Sequence, residues 1–158
     1  MRRWSGVLLT AALVVLPAFS QGHAGESARV AAQQAQKLTF EGDTALWTVA
    51  IKPDKTADFE KLMGKVKEAL MKSDKPERKQ QAAGWKVVRS AKAMPYGNIP
   101  YVHVISPVVK DADYTIMAIL YEAFPDPTEQ RALYDQYRGA FAANLGAAGY
   151  TNAVDLSK

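Results

Sequence analysis

Along the chain the spacing of apolar residues changes at Pro53. From Ala45 to Lys52 it has a period of two, with Trp47, Val49 and Ile51 on one face and Leu46, Thr48 and Ala50 on the other. That is the period of a strand. Both faces are apolar enough to predict a central strand covered on both sides. Pro53-Asp54 ends it. Phe59, Leu62, Met63, Val66 and Leu70 then recur at helical spacing, with lysines and glutamates outside. This predicts a helix starting at Thr56 or Ala57 and capped by Thr56. Gly64 lies on its exposed side, at a cost of up to ~1 kcal/mol relative to alanine.

The same reading carries to the end of the chain. Pro76 opens a short helical segment, Glu77 to Ala83, which Gly84 stops. Two strands follow, Trp85 to Lys92 and Ile99 to Val108, joined through Met94-Pro95-Tyr96-Gly97-Asn98. The second alternates Ile99, Tyr101, His103 and Ile105 against Val102 and Val104. Asp111 or Asp113 is the expected cap of an apolar helix from Tyr114 to Phe124. Asp126-Pro127-Thr128-Glu129 is a specific helix start. That last helix is expected to run to Leu145, with Leu133, Tyr134, Tyr137, Phe141 and Leu145 inward and Gly146 as its stop. Thr151 to Leu156 reads as a closing strand with Val154 and Leu156 on one face. Before the domain, Leu38 to Phe40 reads as a short edge strand and Glu41 to Asp43 as a turn. The order of strand, helix, two strands, helices and strand is the split βαβ pattern of a ferredoxin-like α+β fold. It predicts a four-stranded antiparallel sheet with helices on one face.

The N-terminus changes the picture. Arg2 and Arg3 precede an apolar run, Val7 to Leu16, that is too short for a stable membrane span. Pro17 breaks it, and small residues follow at Ala18-Phe19-Ser20 and again at Gly22-His23-Ala24. The expectation is a signal peptide over residues 1–20, cleaved near Ser20 or Ala24, and a periplasmic or secreted protein; the alternative is an uncleaved N-terminal anchor. Residues 21–44 read as a flexible polar leader and 45–158 as the folded domain. Once the signal is removed, no membrane association is expected.

Composition adds mainly exclusions. The chain has 158 residues, 48% of them hydrophobic and 23% charged, which suits one domain with a real core. It contains no cysteine, so disulfides, thiolate metal sites and cysteine nucleophiles are excluded. Losing Arg2 and Arg3 lowers the net charge from +4 to +2, too little to argue for nucleic-acid binding. Charge is uneven, however. Lys52 to Lys92 holds twelve basic against six acidic residues, and Asp111 to Lys158 holds three against seven. Two solvated helical faces account for this; the sharper reading is complementary fields that orient self-association.

The strand–Lys-Pro-Asp-Lys–helix opening (Thr48 to Leu70), the Ala-Ala-Gly-Trp entry to the second strand (Ala82 to Trp85) and the element order resemble the dimeric α/β barrel superfamily, which includes antibiotic-biosynthesis monooxygenases. The resemblance covers about Ala45 to Leu156. The stretches Arg78 to Trp85 and Pro107 to Tyr114 are also similar to a group of exported bacterial proteins of uncharacterised activity. The resemblance implies a homodimer in which two four-stranded sheets pack face to face, often with a pocket between helices and sheet. Independently, a sheet with helices on one side exposes an apolar face larger than a monomer usually shows.

Candidate chemistry is sparse. His103 is the only histidine within the domain, and a lone histidine among strand aromatics is ordinarily a packed, hydrogen-bonded residue. Trp47, Trp85, Tyr96 and Tyr101 are candidates to line a pocket for a planar ligand, or simply to pack the core. The pocket candidates carried forward are His103, Tyr101, Trp85 and Trp47. The haem-degrading branch of the superfamily uses an Asn, a Trp and a His. Asn98, Trp85 and His103 do not reproduce its arrangement, so those roles are not transferred. No metal-ligand spacing, phosphate-binding loop or nucleophile motif occurs, and neither metal nor cofactor is expected. Asp111 and Asp113 read as caps, and Asp54 and Asp58 as turn and first-turn charges. The leading expectation is a self-associating binding or structural module, which a catalytically inactive relative would also match. The alternative is a cofactor-independent monooxygenase-like or haem-binding enzyme with a small aromatic or hydrophobic ligand near His103 and Tyr101.

Overall fold

The computed structural model describes residues 37–156. The signal peptide expected over residues 1–20, and the expected leader up to residue 36, lie outside the described residues. Four strands and four α-helices follow in the order β1 (Thr44–Ile51), α1 (Thr56–Lys72), α2 (Pro76–Gly84), β2 (Trp85–Arg89), β3 (Ile99–Ile105), α3 (Ile116–Ala123), α4 (Pro127–Ala140) and β4 (Phe141–Tyr150). The sheet order is β2-β3-β1-β4, antiparallel throughout. This is an α+β architecture of the ferredoxin-like kind. No described helix is long and apolar enough to cross a membrane.

Alternation along β1 and β3 decides which side is covered. Trp47 pairs with His103, Val49 with Tyr101 and Ala45 with Ile105, and these six residues are all buried. They face α1, whose Phe59, Leu62, Val66 and Leu70 are buried against them as the 3.6-residue period requires. On the other face, Leu46 pairs with Val104 and Thr48 with Val102, while Lys86 and Val88 continue those rows onto β2. Leu46 is 38% and Val88 48% exposed. Thus β1 is central, as its apolar faces suggest, but the described helices cover only its odd-numbered side.

The largest departure from the sequence reading is at the C-terminus. The last helix stops at Ala140, not Leu145, and the final strand is Phe141–Tyr150, not 151–156. Without β4, the outer edge of β1 would leave a row of backbone groups unpaired. Pairing along eight positions of β1 outweighs the helical preference of Ala142, Ala143, Ala147 and Ala148. Lys52 fixes the switch, since its N–H donates to the Ala140 carbonyl at 3.0 Å and its Nζ to the Gly139 carbonyl at 2.8 Å. Leu145 and Tyr134 are accordingly exposed, while Leu133 stays buried. Gly146 lies inside the strand. At Gly149 any Cβ would run into the Glu41 carbonyl, so glycine lets the incoming chain cross there. β1 has no residues left to pair beyond Thr44, which pairs with Tyr150, so residues 151–156 leave the sheet.

Smaller differences concern element ends. Leu38 to Phe40 is not a strand, because its backbone bonds go elsewhere. The Leu38 N–H donates to Thr115 Oγ1 at 3.0 Å and to Asp113 Oδ1 at 3.2 Å, and its carbonyl accepts from the Tyr114 N–H. Phe40 is buried against Tyr114, so the end of the expected flexible leader packs on the domain. Asp113 makes a local turn with the Thr115 N–H, and α3 begins at Ile116 without a side-chain cap. Thr56 opens α1 but does not cap it. Asp126 does cap α4, accepting from the Glu129 N–H at 2.8 Å. The hairpin strands are shorter than expected, ending at Arg89 and Ile105. Gly84 closes α2 where a Cβ would lie 2.8 Å from the Pro107 carbonyl oxygen, a close approach that excludes larger residues.

Candidate functional site

Cross-strand register brings three of the four sequence candidates together. Trp47 and His103 are paired neighbours on β1 and β3, and their rings stack with centroids 4.5 Å apart and planes 22° from parallel. Trp85, at the start of β2, donates its Nε1–H to His103 Nδ1 at 3.1 Å. Phe59 descends from α1 and meets the imidazole edge-on at 6.2 Å. His103 is fully buried by these three rings and the sheet.

This packing fixes the state of the histidine. Nδ1 accepts from Trp85, so the neutral ring carries its proton on Nε2. Nε2 is buried without a hydrogen-bond partner among the described residues. Burial pushes the imidazole down from 6.5 to about 4, because no carboxylate accompanies it to offset the lost hydration of the charged form. At neutral pH the ring is an uncharged aromatic spacer with one acceptor already engaged.

Tyr101 lies two residues earlier on β3 and is separated from this stack. Its ring packs edge-on against Phe59 at 4.9 Å, while its hydroxyl donates to Glu60 Oε1 at 2.6 Å. Burial first, and then the bond to Glu60, push the phenol up to about 12. Tyr101 and His103 therefore flank Phe59 and do not converge on shared free space. Tyr96, by contrast, stands in the hairpin loop, fully exposed.

Sequence reasoning missed the polar residues that hold the aromatic layer in place. Trp47 Nε1–H donates to Asn144 Oδ1 at 3.1 Å, and Asn144 belongs to β4, whose sequence favours helix. Arg78 and Gln81 are buried on α2. Arg78 donates to Gln81 Oε1 (2.9 Å), to the Asp113 carbonyl (2.7 Å) and to Glu122 Oε2 (3.0 Å). A charged residue on a short polar helix carries no sequence signal of burial. The acid it meets, Glu122, lies 44 positions away.

Three clefts lie at the edges of the helical layer. One of about 390 Å³ between α1, α2 and α3 is walled by Lys72, Lys75, Arg78 and Glu122. Another, of about 470 Å³, shares the Arg78 and Glu122 wall and includes Lys37 and Lys110. Lys75 and Arg78 both pair with Glu122, at 2.9 and 3.0 Å. The opposed charges face one another across the walls, which suits a helix clamp. A third cleft, of about 410 Å³, is mainly apolar and lies between α1, the end of α2 and β2, with Met63, Val66, Leu70, Trp85 and Val87 in its wall. Of the four candidates only Trp85 borders any of these three. Among the described residues, no group of three or more His, Asp or Glu side chains stands ready to hold a metal ion.

The open side of the sheet is the remaining feature of functional scale. Val102 and Val104 at its centre are half-buried, and Leu46, Val88 and Tyr150 are exposed around them. No family model, curated protein or solved structure matches the chain.

Proposed function

We propose that this protein is an exported, self-associating α/β module that acts by binding or assembly and not by chemistry of its own. The observation that carries the reading is the sheet's even-numbered face, where Leu46, Val88, Val102 and Val104 form an apolar surface that no described element covers. An apolar face of this kind is stabilised by a partner surface of similar character, and a second copy provides one under two-fold symmetry. Export rests on the charged and apolar pattern of residues 1–20.

The interior supports the same reading. Trp47, Phe59 and Trp85 occupy the space around His103, and Glu60 engages Tyr101. A ligand set against the imidazole would have to displace one of these rings. Native mass spectrometry of the purified protein tests the proposal, because it reports subunit number and retained small molecules together. A ligand-free dimer is the expected species. A monomer carrying a stoichiometric aromatic or haem-like ligand would overturn the proposal and restore the enzyme alternative.

A further inference from the structure

Two features stand at opposite edges of the sheet. β2 is an edge strand, paired with β3 alone among the described residues. Val87 shares its face with Trp47 and His103, which are buried, yet it is itself 36% exposed. The helical layer therefore stops short of β2, and the 410 Å³ apolar cleft fills the difference. Gly64 of α1 borders that cleft, and a Cβ placed there would meet nothing within 4 Å. An open backbone edge beside a helix-walled apolar slot is the geometry that accepts an extended segment. Main-chain bonds run along the edge, and alternate side chains enter the slot.

The second feature is the tail. Residues 151–156 carry the alternating pattern of a strand but have no strand to pair with among the described residues. Val154 is 74% and Leu156 93% exposed. Two large apolar side chains at i and i+2, on a segment outside the sheet, match the requirement of the slot.

Reach rules out the tail's own β2. The Asn152 N–H is tied to Asp43 Oδ2 at 3.1 Å, at the head of β1. A strand beside the free edge of β2 lies three strand spacings from β1, about 14 Å. Val154 is two residues past Asn152, about 7 Å of fully extended chain. Charge favours a second copy, since the stretch containing β2 and the cleft has twelve basic and six acidic residues, and the stretch containing the tail has three and seven.

The geometry points to residues 153–156 of a second copy adding as a fifth strand to the free edge of β2, with Val154 and Leu156 in the slot beside Gly64. Reciprocal exchange closes a two-fold pair. This contact uses a sheet edge, so it is separate from association through the open face and does not rest on it. Four residues per copy bury much less than a stable dimer needs. The exchange is therefore transient, and trapping reads it where a mass measurement does not.

The chain lacks cysteine, which makes the test clean. Full-length Val87→Cys protein is mixed with full-length Val154→Cys protein under mild oxidation. Both positions are solvent-accessible, so folding should be retained. The expected result is a disulfide-linked heterodimer, forming at least about tenfold faster than with an Asp135→Cys control, because docking raises the local thiol concentration. Adding Gly64→Phe to the Val87→Cys chain, which fills the slot, should abolish the advantage. Repeating the mixture with Val102→Asp in both chains should leave it intact. Cross-linking no faster than the control overturns the inference. So does loss of the link in the Val102→Asp background, or protection of the thiol at position 87 by a co-purified peptide that the tail does not displace.

Discussion

Lowering the pH should destabilise this protein through His103, and the size of the effect follows from its surroundings. In the folded state the imidazole titrates at about 4, against 6.5 when unfolded. Both states hold it neutral above pH 6.5, and there the stability is fully present. Below that the unfolded chain takes up the proton first, so stability falls with pH until the folded pKa is passed. From these two values the loss is ~2 kcal/mol by pH 5 and ~3 kcal/mol by pH 4. Protonation of Nδ1 would also set two donors, the imidazolium N–H and the Trp85 Nε1–H, against each other. The assay is urea unfolding, followed by tryptophan fluorescence and circular dichroism, of the wild type and His103→Phe between pH 4 and 7.5. Phenylalanine keeps a flat ring against Trp47 but leaves the Trp85 Nε1–H without its acceptor. The variant should lose ~1 kcal/mol at pH 7.5 and then show a much shallower decline. Carboxylates such as Glu122, held below the usual range by Arg78 and Lys75, titrate in both proteins and cancel in the difference. Parallel stability curves across the whole range would refute this account of the buried imidazole.

Other substitutions probe the scaffold. Arg78→Ala, which leaves the Glu122 carboxylate with Lys75 as its remaining cation and a bond from Ser73 Oγ, should cost ~2–4 kcal/mol in urea unfolding, whereas Lys75→Ala at the exposed end of the same cluster should cost under ~1 kcal/mol. Removing the α4 cap with Asp126→Ala should cost ~1 kcal/mol, and an unchanged midpoint would show that the cap contributes nothing. Two glycine-to-alanine changes should have opposite signs. Gly64→Ala meets open space and should stabilise by up to ~1 kcal/mol, while Gly84→Ala drives a Cβ toward the Pro107 carbonyl and should lower the melting temperature.

The sequence made the first half of the fold legible because its periods are unambiguous. Trp47, Val49 and Ile51 could only share one face, and Phe59 to Leu70 could only form one helical stripe. It also showed that one sheet face would be bare; the register then identified that face as the one bearing Leu46 and Thr48. The C-terminal segment was not legible. Phe141-Ala-Ala-Asn-Leu-Gly-Ala-Ala-Gly-Tyr150 favours helix locally, and only the vacant edge of β1 makes it a strand. Val154 and Leu156 alternate as strand residues do, but β1 has no position left to pair with them. In the candidate site, Trp47, Trp85 and His103 do meet, because Trp47 pairs directly with His103 and Trp85, opposite Ile105 on β2, reaches the imidazole diagonally. That these rings pack against one another around the imidazole depended on ring orientation and on Phe59, which no spacing rule reveals.

The central claim is that the face carrying Val102 and Val104 joins two copies. Light scattering coupled to size exclusion, run on the wild type and on Val102→Asp over a wide concentration range, tests it most directly. The account predicts a dimeric mass for the wild type and a folded monomer for the variant, with circular dichroism unchanged between them. A wild type that stays monomeric at the highest concentration, or a variant that keeps the wild-type mass, would contradict it.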